Sequence, residues 1–245
     1  AQAAHIARQR GANIVLLKGG SSQKGAIAAV SHTGAMVGND GALDAFLHRH
    51  GIRRARDIHE LVNAAAVYLT GFGAGSGRTI VMSHSGGLGV MCADVAERVG
   101  LPLADLSEDT CNELAEILPS FATASNPLDL TAALLSNGDM FSQALTTLGE
   151  DSQGDMFLVG VPVAGSGYDV PGLAATAASF ASRAQKVVVV SAPQEFVRRE
   201  FQRHGLPVFR TETDALNALY QFSSHTLQRV KPAIDEVQRS EPCIS

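Results

Sequence analysis

The 245-residue chain is 45% hydrophobic with a mean hydropathy of +0.09, enough to bury a sizeable core in one or two domains. A formal charge of −5, a pI near 5.9 and no basic run longer than Arg53-Arg54 or Arg198-Arg199 argue against a polyanion-binding surface, so nucleic acid is not an expected partner. No apolar run approaches the ~20 residues a membrane helix needs. Cys92, Cys111 and Cys243 stand far apart without metal-ligand spacing, so no metal site is expected and free thiols in a reducing cytoplasm are.

In chain order, a helix over residues 3–10 closes at Gly11, and the aliphatic run 13–17 reads as a buried strand. The small-residue loop 18–22 then leads into Ala29-Ala-Val-Ser-His32-Thr-Gly-Ala-Met-Val-Gly38, read as a loop-to-helix junction. Met36, Val37, Leu43, Phe46 and Leu47 fall at helical spacings, and Gly51 ends that helix. A second helix begins at Asp57 and presents Ile58, Leu61, Val62, Ala65 and Leu69 as its inward stripe. Two strands make no stable parallel sheet by themselves, so residues 1–70 are expected to complete a sheet whose other strands lie off the chain. A start without Met, inside a helical pattern, fits a segment of a larger protein.

Residues 71–78 form a glycine-rich linker, Gly71-Phe-Gly-Ala-Gly-Ser-Gly-Arg. From 79 to 225 the apolar runs 79–82, 101–106, 156–163, 186–192 and 207–210 mostly alternate with amphipathic segments, which predicts an α/β, flavodoxin-like doubly wound parallel sheet. Ligands of such sheets bind beyond the carboxyl ends of the first and third strands. Here those ends are the small-residue loops 83–87 and 163–167, where the backbone can be approached closely. Residues 226–245 are polar, contain Pro232 and Pro242, and read as a tail or linker.

Two junctions could carry chemistry. A histidine at a helix start is an odd cap, because Ser31 or Thr33 would satisfy the free amides better; His32 is either chemically active or a half-exposed loop residue. The second junction, Val81-Met-Ser-His-Ser-Gly-Gly-Leu-Gly-Val90, runs a strand through a small-residue turn into a helix. Such a turn can present amides to a phosphate or serve only tight packing. Together the two could let an imidazole accept a phosphoryl group while a helix amino terminus stabilises its charge.

The ordered set Lys18-Gly-Gly-Ser-Ser, Ser31-His32-Thr-Gly-Ala, Asp57-Ile-His-Glu-Leu61, Ser83-His-Ser-Gly-Gly-Leu-Gly-Val90 and Asn126-Pro-Leu-Asp-Leu-Thr131 resembles the NDP-forming acyl-CoA synthetases, relatives of succinyl-CoA synthetase that include ADP-forming acetate–CoA ligases. The likeness covers about residues 12–225. It implies that 1–70 end the family's first ligase domain and that 79–225 are its second, flavodoxin-like one. It matches His32 with the family's phosphorylated histidine, Gly34 with the turn after it, and Ser85, Gly86 and Gly87 with one of two phosphate-facing helix starts. Asn126 and Asp129 fall near the acyl or phosphate pocket by the same likeness, although Asn-Pro and Asp are also ordinary turn chemistry. The implied reaction is acyl-CoA + phosphate + NDP to acid + CoA + NTP, with Mg-nucleotide and CoA as substrates of the complete enzyme and no cofactor held tightly by this chain. The implied partners are the CoA-binding and ATP-grasp domains, a small carboxylic acid or its acyl phosphate and, in some arrangements, a second copy of the chain. Without those domains the chain is expected to be inactive.

His84 departs from the family pattern, where Asn is commoner; it could touch phosphate or cap the turn. His48, His50, His59, His204 and His225 have no ligand partner at metal spacing and are expected at the surface. Cys92, just past the glycine turn, is either activated by the helix dipole or a buried structural thiol. Two rival readings are a non-catalytic synthetase-like module, as in protein acetyltransferase fusions, and a free-standing flavodoxin-like nucleotide binder. The first gives no reason to retain an imidazole at His32, and the second leaves the strands of 1–70 unexplained.

Overall fold

The computed structural model describes residues 1–33 and 38–230. They divide into two compact units, one built from Ala1–Ile58 with the chain from His225 onward, the other from His59–Ser224.

The first unit contains α1 (Gln2–Gln9), β1 (Val15–Leu17), α2 (Gln23–Thr33), α3 (Asp40–Arg49) and β2 (Arg53–Ala55). Strands β1 and β2 pair in parallel, Val15 opposite Arg53 and Leu17 opposite Ala55. With β2 its only strand neighbour among the described residues, β1 is half-buried along its length, not the buried strand its composition suggests. Asn39 caps α3 by accepting from the Ala42 amide at 3.0 Å. At its first residue, Asp40 receives Lys18 Nζ and Arg54 Nη1, both at 2.8 Å. Arg54 and Lys18 hold the Asp40 carboxyl down to about 2.

The second unit is built on β3 (Thr79–Ser83), β4 (Leu128–Asp129), β5 (Met156–Gly160), β6 (Val187–Ser191) and β7 (Val208–Phe209). All pair in parallel in the order β4-β3-β5-β6-β7. Renumbered within the unit this is 2-1-3-4-5, the flavodoxin-like order, and its switch point lies between β3 and β5. Strands buried on both faces need continuous apolar sequence, and Thr79-Ile-Val-Met and Val187-Val-Val-Val supply it. Ile80, Phe157, Val159, Val188 and Val190 face a core shared with α6 (Glu108–Ile117), α7 (Met140–Glu150), α8 (Val170–Ala184) and α9 (Glu195–Arg203). Val81, Leu158, Val187 and Val189 face the other core, shared with α4 (Ile58–Tyr68), α5 (Gly86–Val99) and α10 (Glu212–Val230).

Five expectations are corrected. Residues 101–106 are not the second strand: they make one bridge, Leu103 to Thr79, and β4 holds the edge at the other end of β3. The gap is closed by the Asn126 side chain, whose Oδ1 accepts from the Val81 amide at 2.8 Å while its Nδ2 donates to the carbonyls of Thr79 and Ala104 at 2.9 and 3.0 Å. On α4, Ala64 and Val67 face the core and Ile58, Val62 and Leu69 are exposed. This helix is apolar on two faces, and the contact of Tyr68 with Phe222 at 5.2 Å selects the small-residue one. His225 is fully buried, with Nε2 donating to the Gly51 carbonyl at 2.8 Å. It is buried because α10 runs on to Val230, into the stretch expected to be a tail. Residues 231–245 lie outside the described residues. The glycine stretch 71–77 falls inside the second unit, where Asp155 Oδ2 accepts from the amides of Ser76 and Arg78 at 3.1 and 3.3 Å. Among the described residues, no helix is long and apolar enough to cross a membrane.

Candidate functional site at the carboxyl ends of β3 and β5

The central strand β3 delivers the chain directly into the candidate site. After Ser83 the backbone turns at His84 and Ser85, and α5 begins at Gly86 with Ser85 in the N-cap position. The Ser85 side chain makes no cap hydrogen bond; its amide donates to Ser83 Oγ at 3.2 Å. Gly86 and Gly87 are exposed, so the first turn of α5 opens to solvent with its backbone bare. This is the strand-turn-helix arrangement expected from the sequence, with the positive end of the helix dipole at the switch point.

Strand β4 ends beside that turn. Asp129 lies in register with Ser83, and its Oδ1 accepts from the Thr131 amide at 2.8 Å. Its Oδ2 comes so near Gly86 that a Cβ there would lie 2.8 Å from it, so only glycine fits. Thr131 follows at φ 59 and ψ −175, a backbone region that a β-branched residue rarely adopts. Such strain costs about 1–3 kcal/mol and clusters where geometry serves function. Of the sequence candidates, Asp129 therefore joins Ser85, Gly86 and Gly87, whereas Asn126 is committed to the sheet edge.

His84 is 9% exposed. Its Nε2 donates to the Val163 carbonyl at 2.8 Å, and its ring lies 4.9 Å from that of Tyr168. Burial pushes the imidazole below its ordinary range. It is neither a helix cap nor directed solely at the turn: it ties the end of β3 to the loop after β5. Gln194 grips the same loop, accepting from the Ala164 amide at 2.6 Å and donating to its carbonyl at 3.1 Å. Sequence reading found this loop but missed Gln194 and Tyr168, neither of which belongs to a recognisable spacing; Thr131 closes the Asn126-Pro-Leu-Asp-Leu-Thr motif, which assigns it no role. Beside Tyr168 opens a small groove lined by Leu134, Phe141, Leu173 and Thr176.

His32 belongs to the first unit. It is exposed and sits on the last turn of α2, at the carboxyl end of a helix, not at the start expected for it. The sequence signal for α2 was Ser22, which caps it: the Gly25 amide donates to Ser22 Oγ at 3.1 Å. The helix-forming run Ala26-Ile-Ala-Ala-Val30 then carries it through. Gly34 lies outside the described residues. Cys92 is buried and its thiol is pushed up to about 12 by burial, which fits the structural thiol. Among the described residues, no group of His, Cys, Asp or Glu side chains is placed to hold a metal ion.

Residues 1–68 match the family model described as the succinyl-CoA ligase like flavodoxin domain. An ADP-forming acetate–CoA ligase of Archaeoglobus fulgidus is 36% identical over 145 residues, 59% of this chain and 21% of that protein. The alpha subunit of ADP-forming acetate–CoA ligase II of Pyrococcus furiosus is 32% identical over 145 residues, 59% of this chain and 31% of that subunit. The chain thus spans less than a third of the length of these curated relatives. In three dimensions it resembles the dinucleotide-forming acetyl-coenzyme A synthetase 1 of Ca. Korarchaeum cryptofilum, solved with phosphate and ADP: TM-score 0.80 at 21% identity, covering 92% of this chain and 50% of that one.

Proposed function

This chain is a relative of the NDP-forming acyl-CoA synthetases, and from that premise we propose that it is the part of such an enzyme in which a phosphoryl group passes through His32. Acyl-CoA and phosphate give acyl phosphate and CoA. The His32 ring nitrogen then displaces the acid from acyl phosphate, and the phosphohistidine surrenders its phosphoryl group to a nucleoside diphosphate, regenerating the imidazole. Magnesium accompanies the nucleotide as part of the substrate. CoA, nucleotide and acid are substrates brought by CoA-binding and ATP-grasp domains, and the assembly works in the cytoplasm.

The observation that carries this reading is the open start of α5 at the end of β3, reached by the Ser85-Gly86-Gly87 turn. Imidazoles titrate near neutrality, so a neutral nitrogen can attack phosphorus without strong activation. Phosphoryl transfer chiefly needs positioning and charge stabilisation. His32 stands at the carboxyl end of its own helix, where the dipole opposes added negative charge. The α5 start, in the second unit, has the sign a phosphoryl group needs, with Asp129 beside its first glycine.

The test supplies the CoA-binding and ATP-grasp domains and incubates the assembly with magnesium and nucleoside triphosphate labelled on its terminal phosphate. Acid-labile, base-stable label is expected on this chain and should vanish in His32→Ala. Equal labelling of His32→Ala would refute the assignment and favour a non-catalytic module.

A further inference from the structure

The first unit gathers three guanidiniums around one glycine. Arg8 on α1, Arg53 on β2 and Arg229 on α10 are half-buried and all belong to that unit. Gly51 lies among them: a Cβ there would stand 3.1 Å from Arg8 Nη2 and 3.2 Å from Arg229 Cγ, and Arg53 follows it by two residues. Three side chains fix the end of α10 against this point. His225 Nε2 donates to the Gly51 carbonyl at 2.8 Å, Gln228 Nε2 donates to the His48 carbonyl at 2.7 Å, and Arg229 Nη1 donates to Asn13 Oδ1. Burial pushes the His225 imidazole below its ordinary range against the pull of its Gly51 hydrogen bond, and the charges of Arg229, Arg53 and Arg8 push it the same way as burial.

The next arginine along β2 shows what these three lack. Successive side chains on a strand face opposite ways, and on its side Arg54 meets two carboxylates, Asp40 at 2.8 Å and Asp44 at 2.6 Å. Among the described residues no carboxylate pairs with Arg8, Arg53 or Arg229, and Arg53 Nε is buried without a hydrogen-bond partner. Arginine does not shed its proton, so like charges drawn partly out of water repel one another until an anion joins them. The dipole of α1 eases Arg8, which stands on its last turn; Arg53, at the start of a strand, has no such help. We propose that Arg8, Arg53 and Arg229 form a binding site for a tetrahedral phosphoryl anion, either free phosphate or a phosphate monoester. Guanidinium forks match phosphate oxygens in spacing and charge. Three forks arriving from three elements each need an acceptor oxygen, which a tetrahedral oxyanion offers and a carboxylate does not. Because Gln228 and His225 already hold α10 in place, little order is lost when the anion arrives. The site uses neither His32 nor the start of α5.

The experiment titrates the full 245-residue chain with inorganic phosphate and follows the Arg53 Nε–H resonance by NMR, a readout that phosphate held elsewhere on the chain leaves alone. Phosphate should shift that resonance, and acetate at equal ionic strength should not. Arg53→Gln and Arg229→Gln, read at the amides of Gly51 and Ile52, should each weaken phosphate binding at least about tenfold, the factor for one lost hydrogen bond to a charged group. Arg49→Gln removes an exposed charge from the last turn of α3 and should leave the affinity unchanged. The parent titration decides by itself if a variant fails to fold. A still Arg53 resonance, an equal response to acetate, full affinity in both glutamine variants at positions 53 and 229, or an equal loss in Arg49→Gln would each overturn the site. Adenosine monophosphate separates the two sources of the anion: binding tighter than phosphate assigns the site to a phosphate ester, and binding no tighter assigns it to the free ion.

Discussion

The two units use the same grammar, parallel strands alternating with helices, and reach different degrees of closure. In the second, β3, β5 and β6 are buried at every position, with a helical layer's core on each face. In the first, three-residue strands pair once and lie half-buried except at Ala55, which with Ala4 and Leu47 makes up its buried apolar residues among the described ones. Since burial of apolar area drives folding, one unit has an extensive core and the other relies on a few contacts and partly buried ion pairs. His32 belongs to the first of these units and the α5 start to the second.

Core truncation should expose this contrast most strongly. Phe157→Ala removes a fully buried ring packed 4.9 Å from Phe180 and should cost about 3–5 kcal/mol in urea unfolding. Leu16→Ala, in half-buried β1, should cost about 1 kcal/mol; equal losses would abolish the distinction. Next comes the sheet edge. Asn126→Ala strips a partner from the Val81 amide and from the Thr79 and Ala104 carbonyls, an expected loss of about 1–3 kcal/mol, whereas a wild-type melt would mean that water replaces the amide. Gly160→Ala places a Cβ 2.1 Å from Leu88 Cδ2 and should cost about 1–3 kcal/mol while displacing α5, read as altered amide shifts at 85–88. The smallest effect is electrostatic and confined to the first unit. Because Asp40 titrates at about 2 when folded instead of 3.8, its contribution is present above pH 4 and is lost as pH falls toward 2. Asp40→Asn should therefore flatten the acid loss of structure expected at the amides of Val15–Leu17, and an unchanged profile would remove the ion pairs from the account.

Much of the site was legible before the fold. The turn Ser83-His-Ser-Gly-Gly states its structure in its composition, because only small residues let a strand turn at once into a helix, and the structure forms that turn. His32 was harder: the loop-like Gly-Gly-Ser-Ser drew attention from Ser22, whose capping role makes the following residues helical and puts the histidine at the opposite end of a helix. Leu101–Leu106 failed as a strand for a reason no local pattern holds, since β3 has one free edge and Asn126 decides which segment takes each part of it. The inward face of α4 failed similarly, because a helix with two apolar faces has no preferred one until Phe222 arrives.

The strand–helix alternation of the second unit and the small-residue loops at its strand ends were written in the chain itself, because periodicity, capping and backbone freedom are local properties. The partnership of His84 with Val163, of Asp129 with Gly86 and of His225 with Gly51 was decided only by tertiary structure. Those contacts join residues far apart in sequence, and a polar side chain takes its role from whichever buried group lacks a partner where the fold has carried it.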